Sequence, residues 1–237
     1  MNPSNKVVFV TGGARRLGRE IALHLRETGF SIVVHYNKSR DEALSLQTQT
    51  GCRLFQADFT SIRISELVDR LENEVGEVDA LINNASVFQM RKWNQIDEQL
   101  WDEEMAVNLK MPFFLARHFG SRMKKKGSGK IINMSDIAAE RPYLNYLPYS
   151  IARAGVPALT RALARILAPE VQVNAIAPGS ILFAEDMPVA SREAILKKIP
   201  ARRTATTEEL LHTVDFLLSD VDYITGQTIV LDGGRSL

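Results

Sequence analysis

Tyr149 and Arg153 stand one helical turn apart in Tyr149-Ser150-Ile151-Ala152-Arg153, so their side chains share a face. A phenol beside a permanent cation is a proton donor: the charge favours phenolate and draws the hydroxyl down from its ordinary pKa of about 10. A tyrosine taken alone is an ordinary half-buried amphipathic residue, and the cation beside it gives the reactive reading its weight. Far upstream, Thr11, Gly12 and Gly13 follow the apolar run Val7–Val10, and Gly18 precedes Ile21, Ala22 and Leu25 at helical spacing. Strand, glycine-rich turn and helix together aim backbone N–H groups and a helix N-terminus at a phosphate. A turn of this composition also suits a plain αβ corner. Its glycines at 12, 13 and 18 depart from the usual G-x-G-x-x-G, with Arg16 where a glycine is expected.

The turn carries Arg15 and Arg16 side by side, and two guanidinium groups suit more negative charge than a pyrophosphate alone. The second strand runs into His35-Tyr36-Asn37-Lys38-Ser39, where an acid would bind a ribose 2′-hydroxyl and select NAD; none is present. His35, Asn37, Lys38 and Ser39 suit a 2′-phosphate instead, with Arg16 over it, and the expected cofactor is NADPH. Ser39 is equally placed to N-cap the next helix.

The elements that must position these groups alternate along the chain. Strand-like runs fall at Val7–Val10, Ser31–Tyr36, Cys52–Gln56, Ala80–Ile82, Lys130–Met134, Val171–Ile176 and Thr228–Leu231. Between them lie amphipathic stretches, with Ile62, Leu67, Val68 and Leu71 on one face, Met105, Leu109, Phe113 and Leu115 on another, and Leu159, Leu163, Ile166 and Leu167 on a third. This alternation predicts an α/β fold: a single doubly wound Rossmann-type domain over residues 1–237, with a parallel sheet of about seven strands. The clusters Leu81–Ser86, Asn133–Asp136 and Tyr149–Arg153 fall at or just beyond the carboxyl ends of strands, where such sheets bind ligands. The least patterned segment, about 180–206, reads as a substrate loop.

Bulk properties narrow the function classes. The 237 residues are 45% hydrophobic and 24% charged with a net charge of +1, which implies neither a nucleic-acid nor a membrane partner. Lys124-Lys125-Lys126 reads as a solvated helix C-terminus. Cys52 is the only cysteine, so no intrachain disulfide forms, in keeping with a cytoplasmic location, and it reads as a small buried strand residue. Residues 1–6 are too short and polar for a signal peptide, no stretch is apolar enough to span a membrane, and no metal site is expected.

Thr11–Gly18, Asp58, Asn83–Ser86, Asn108, Tyr149–Arg153, Asn174–Gly179 and Asp232-Gly233-Gly234 together resemble the short-chain dehydrogenase/reductase family over essentially the whole chain. Within it the chain most resembles the pteridine reductases and the related dihydromonapterin reductases. Arg16 replaces the middle glycine, His35-Tyr36 ends the second strand, Ser86 follows Asn83-Asn84-Ala85 with Phe88 close behind, and Asp136 stands where the family usually has serine. The resemblance implies a cofactor site of Gly12, Arg15, Arg16, Leu17 and Gly18 at the phosphates, with His35, Tyr36 and Asn37 beside them. Asp58 and Phe59 would lie at the adenine, and Asn84, Ala85 and Ser86 along the dinucleotide. Tyr149 and Arg153 would reach the ribose, and Pro178, Gly179, Ser180 and Ile181 the nicotinamide. It implies a substrate site in which Phe88 stacks a flat pterin ring while Asp136 and Tyr149 deliver the proton, and a water chain held by Asn108. Catalysis would thus rest on Tyr149, Arg153, Asp136 and Asn108.

Reducing a dihydropterin C=N bond needs a hydride on carbon and a proton on nitrogen. An aromatic face suits the flat ring, and a carboxylate suits its amines. In isolation, Phe88 is as much a core residue and Asp136 as much a cap. Arg153 departs from the family's Tyr-x-x-x-Lys: it keeps the charge but is never deprotonated, so a proton relay through this position is impaired. The resemblance further implies a homotetramer acting on a small molecule. A 3-oxoacyl or other ketone reductase, and a dinucleotide-binding protein without turnover, stand as the alternatives.

Overall fold

The computed structural model describes residue 1 and residues 6–183 and 187–237. The described chain forms a seven-stranded parallel sheet in the order β3-β2-β1-β4-β5-β6-β7. The strands are β1 (Val7–Val10), β2 (Ser31–Tyr36), β3 (Arg53–Gln56), β4 (Ala80–Asn83), β5 (Gly129–Met134), β6 (Val171–Pro178) and β7 (Thr228–Leu231). Three match the sequence-based bounds and the rest differ by one or two residues. Cys52 is buried but lies just before β3 rather than in it.

The β-branched runs are buried on both faces because each strand sends alternate side chains to opposite helical layers. One layer gathers Phe9, Val33, Phe55, Leu81, Ile131 and Val173 with helices α3 (Ile64–Arg70), α5 (Met111–Lys126) and α6 (Leu147–Leu167). Edge-to-face contacts join Phe9 to Phe55 at 5.9 Å and to Phe119 at 5.4 Å. The other layer gathers Val8, Val10, Ile32, Val34, Ile82 and Ile176 with α1 (Arg16–Glu27), α2 (Arg40–Thr50) and α8 (Thr207–Asp215). Each large apolar side chain so buried contributes about 1.5–3 kcal/mol.

Helix α4 (Glu98–Met105) runs into α5 through a π-helical turn, Ala106–Lys110, which carries Asn108. The basic run ends α5 before the left-handed Gly127, as expected; Lys126, however, is not merely solvated but bonds buried Asp79 at 2.8 Å. Phe113 and Ile166, placed on apolar faces by their spacing, remain 42% and 63% exposed. Ser39 stands at the N-cap of α2, but its side chain makes no capping bond. The 180–206 segment is more regular than its sequence suggests, because α7 (Val189–Lys197) occupies much of it; residues 184–186 of that segment lie outside the described residues. Strand order reverses between β1 and β4, and a crevice at that point opens at the carboxyl ends of the strands.

Candidate active site

The glycine turn is held by neighbours that leave no room for side chains. Gly12 has φ +62°, and a Cβ there would lie 2.8 Å from the Ala85 Cα. A Cβ on Gly18 would lie 2.2 Å from the Gly12 carbonyl oxygen and 2.5 Å from Asn84 Nδ2. Thr11 Oγ1 accepts the N–H groups of Asn84 and Ala85, both at 2.9 Å, and Asn84 Nδ2 donates to the carbonyls of Thr11 at 2.9 Å and Gly12 at 3.1 Å. These bonds tie the turn to the end of β4. Arg16 takes φ +51°, a left-handed conformation that costs a non-glycine residue about 1–2 kcal/mol, which is why a glycine is usual there.

His35 takes a structural rather than a phosphate-facing part. Its Nδ1 accepts the Gly12 N–H at 3.1 Å and its Nε2 lies 3.0 Å from the Ala57 carbonyl, so both ring nitrogens are engaged by backbone. The ring stacks on Phe59 at 3.9 Å. Burial lowers its pKa to about 4, against the opposing bond to Ala57 and the charge of Asp58, so it is neutral and has no donor left for a phosphate. It pins the turn instead.

The crevice encloses about 970 Å³. One end is lined by Gly12, Arg15, Arg16, Leu17, Gly18, Tyr36, Asn37, Lys38, Ser39 and Asp58, the middle by Asn84, Ala85 and Ser86, and the far wall by Pro178, Gly179, Ser180 and Ile181. Arg16 reaches across to the Leu182 carbonyl at 3.4 Å, and Arg15 turns toward Glu42 at 3.8 Å. Burial raises the Asp58 carboxyl, but bonds from the Thr60 N–H and hydroxyl and from Asn37, with the charge of Lys38, bring it below the usual carboxylate range.

The Tyr149 hydroxyl donates to Asp136 Oδ2 at 2.7 Å, and Asp136 Oδ1 accepts the Ala138 N–H at 2.7 Å. Asp136 is therefore a cap and a partner of the tyrosine at once. The guanidinium of Arg153 lies 5.1 Å from the Tyr149 ring centroid. Its effect is smaller than the sequence implied: burial raises the Tyr149 pKa, Arg153 opposes, and Asp136 adds to the rise, so the net shift is upward. The phenol is held protonated, as a proton donor must be. Arg153 is itself buried; Nη1 donates to the Met134 carbonyl at 2.5 Å, and Nε is buried with no partner among the described residues.

Asn108 is fully buried and does not line the crevice. Its Oδ1 accepts from Ser86 Oγ at 2.9 Å, and its Nδ2 donates to Glu104 Oε2 at 2.7 Å and the Val87 carbonyl at 3.0 Å. Its amide thereby positions Ser86 and Glu104. Phe88 is not a core residue: it is 51% exposed at the crevice. One face stacks on Tyr146 at 3.8 Å and 3°, and its ring meets Tyr149 edge-on at 4.7 Å.

Sequence reasoning passed over Tyr143, Tyr146, Glu104 and Arg235. The first two had a signal, since Tyr143, Tyr146 and Tyr149 recur every third residue and all three line the crevice. The 3₁₀ turn Leu144–Tyr146, leading directly into α6, puts them on one side. Arg235 lies beyond the Asp232-Gly233-Gly234 motif and carries no local pattern.

Residues 12–236 match the family model described as enoyl-(acyl carrier protein) reductase. The chain is 34% identical to 3-oxoacyl-(acyl-carrier-protein) reductase FabG of Staphylococcus epidermidis, over 97% of this chain and 98% of the relative. It is 32% identical to acetoacetyl-CoA reductase of Rhizobium meliloti, over 98% of both. Among solved structures it is similar to FolM alternative dihydrofolate reductase 1 from Brucella canis complexed with NADP, with TM-score 0.90 and 33% identity over 99% of this chain and 95% of that one.

Proposed function

The chain belongs to the short-chain dehydrogenase/reductase family, and from that footing we propose that it is an NADPH-dependent reductase of a small planar substrate, a dihydropterin before any other. The observation that carries this reading is one crevice holding a glycine cradle at one end and, at the other, a protonated Tyr149 bonded to Asp136 beside the exposed ring of Phe88. The residues fit the cofactor. The unpartnered buried Nε of Arg153 suits a ribose hydroxyl, and Arg15, Arg16 and Lys38 line an end of the crevice where β2 supplies no acid. Asp58 would meet the adenine, and Pro178 to Ile181 the nicotinamide. The FolM relative's complex with NADP agrees with this choice.

Bound NADPH supplies hydride. The protein's own part is orientation and the proton. Asp136 aligns the Tyr149 hydroxyl, which delivers its proton to the substrate nitrogen. The Phe88 face turned away from Tyr146 receives the flat ring. Arg153 holds positive charge under the tyrosine, favouring the phenolate left by proton transfer. The sequence relatives favour a second reading, in which the same tyrosine protonates the oxygen of a 3-oxoacyl thioester.

We also propose a cytoplasmic homotetramer, seated where Phe113 on α5 and Ile151 and Ile166 on α6 stay exposed; light scattering at the mass of one chain overturns that assembly. No helix among the described residues is long and apolar enough to cross a membrane.

The test of function is oxidation of NADPH and NADH against dihydrobiopterin, dihydrofolate and acetoacetyl-CoA. The pterins are expected to turn over faster than the thioester, and NADPH to bind at least about tenfold more tightly than NADH, or 1.4 kcal/mol. Turnover of acetoacetyl-CoA alone establishes the ketone reading, and NADPH binding without any turnover establishes the non-catalytic one.

A further inference from the structure

Arg235 is a cation at the substrate end of the crevice, outside every role given so far. It follows a turn that is fixed from within. Asp232 accepts the N–H of Gly234 at 2.8 Å and of Ser236 at 2.6 Å, and Gly233 and Gly234 both take positive φ. The Arg235 side chain therefore leaves a rigid base, and its Nη1 donates to Ser180 Oγ at 2.7 Å. Its Cζ stands 5.7 Å from the ring centroid of Tyr143, which meets Phe88 edge-on at 6.4 Å.

These partners are all neutral. Asp232 contributes charge nearby, but its oxygens are taken by backbone N–H groups, and no carboxylate among the described residues lies within ion-pair distance of Arg235. A guanidinium bonded once to a hydroxyl and laid against an aromatic ring keeps most of its five donors for something else. Its planar fork matches a carboxylate or phosphate in two parallel bonds. The crevice thus holds an aromatic wall with a cation fixed beside it.

We infer that Arg235 is a specificity-determining residue that grips an anionic substituent, carboxylate or phosphate, carried by the substrate away from the bond that is reduced. The inference deepens the reductase reading and rests on it, but does not require the substrate to be a pterin. It predicts that the chain prefers a tailed, anionic substrate over its neutral counterpart and loses that preference without the guanidinium.

The experiment compares kcat/KM for two matched pairs in wild type, Arg235→Leu and Arg235→Lys. Dihydrofolate, with its carboxylates, is paired with dihydrobiopterin; acetoacetyl-CoA, with its phosphates, is paired with ethyl acetoacetate. In Arg235→Leu the anionic-to-neutral ratio is expected to fall at least about tenfold in one pair, mostly through KM, with part of it restored in Arg235→Lys. The pair that responds identifies carboxylate or phosphate. Because the readout is a ratio within one variant, a general loss of folded protein cancels. A ratio that does not move in either pair overturns the inference while leaving the reductase reading standing. If wild type reduces none of the four, the reductase reading falls, and the inference is then judged by binding of dihydrofolate and dihydrobiopterin to the NADPH-loaded protein, where equal affinities overturn it.

Discussion

Glu104 shows how far the surroundings of a residue decide its chemistry. It is 1% exposed, on the face of α4 that also buries Leu100, with Oε1 accepting the Gln89 N–H at 2.9 Å and Oε2 the Asn108 amide. Burial raises its pKa to about 7 against those bonds and the attraction of Arg153. In the unfolded chain it titrates near the ordinary value of 4.5. Between those two values the folded state keeps a proton that the unfolded state has lost, so stability falls as pH rises, and the loss is complete above the folded pKa. Glu104→Gln has no such titration. Its stability relative to wild type is expected to increase by up to about 3 kcal/mol as pH is raised through this window, measured by urea unfolding. A difference that is flat with pH contradicts the assignment. Arg153 belongs to the same neighbourhood: the cation in the lysine position is buried, bonded to the Met134 carbonyl and attracted by Glu104.

At the scale of elements, the site depends on the close approach of the glycine turn to the end of β4. Gly18→Ala forces a methyl group against the Gly12 carbonyl and the Asn84 amide, so α1 must move away from the turn. Overpacking of this kind costs about 1–3 kcal/mol. The expected outcome is a lower unfolding midpoint together with weaker NADPH binding by fluorescence titration; retention of both contradicts the proposed cradle. The turn and the strands were legible in the sequence because buried parallel strands read as unbroken β-branched runs and because tight turns demand glycine. The residue partnerships were less so. Nothing in the local pattern says that His35 turns inward onto Gly12, that Asn108 bonds Ser86 and Glu104, or that burial outweighs Arg153 at Tyr149. Those outcomes depend on residues brought together by β-α crossovers, and on desolvation, which has no signature in spacing. Phe88 and Tyr149 were recognisable as a joint pattern; Tyr146, which covers one face of Phe88, belonged to a three-residue tyrosine repeat that an α-helical period does not pick out.

For the molecule as a whole, the sheet delivers groups from β1, β2, β4, β5 and β6 to one crevice, with Tyr149 of α6 closing one side. The glycine cradle with its cations Arg15, Arg16 and Lys38 and the aromatic wall of Phe88 and Tyr146 are thereby held on opposite parts of one frame, and under the proposed function reduction becomes a matter of placing two ligands against Tyr149. That claim is tested most directly by steady-state NADPH oxidation with dihydrobiopterin in wild type and Tyr149→Phe, alongside NADPH titration of both proteins. Removing the hydroxyl takes away the donated proton but keeps the ring, so turnover is expected to fall by about a hundredfold or more while NADPH still binds. Turnover in Tyr149→Phe equal to that of wild type would contradict the account.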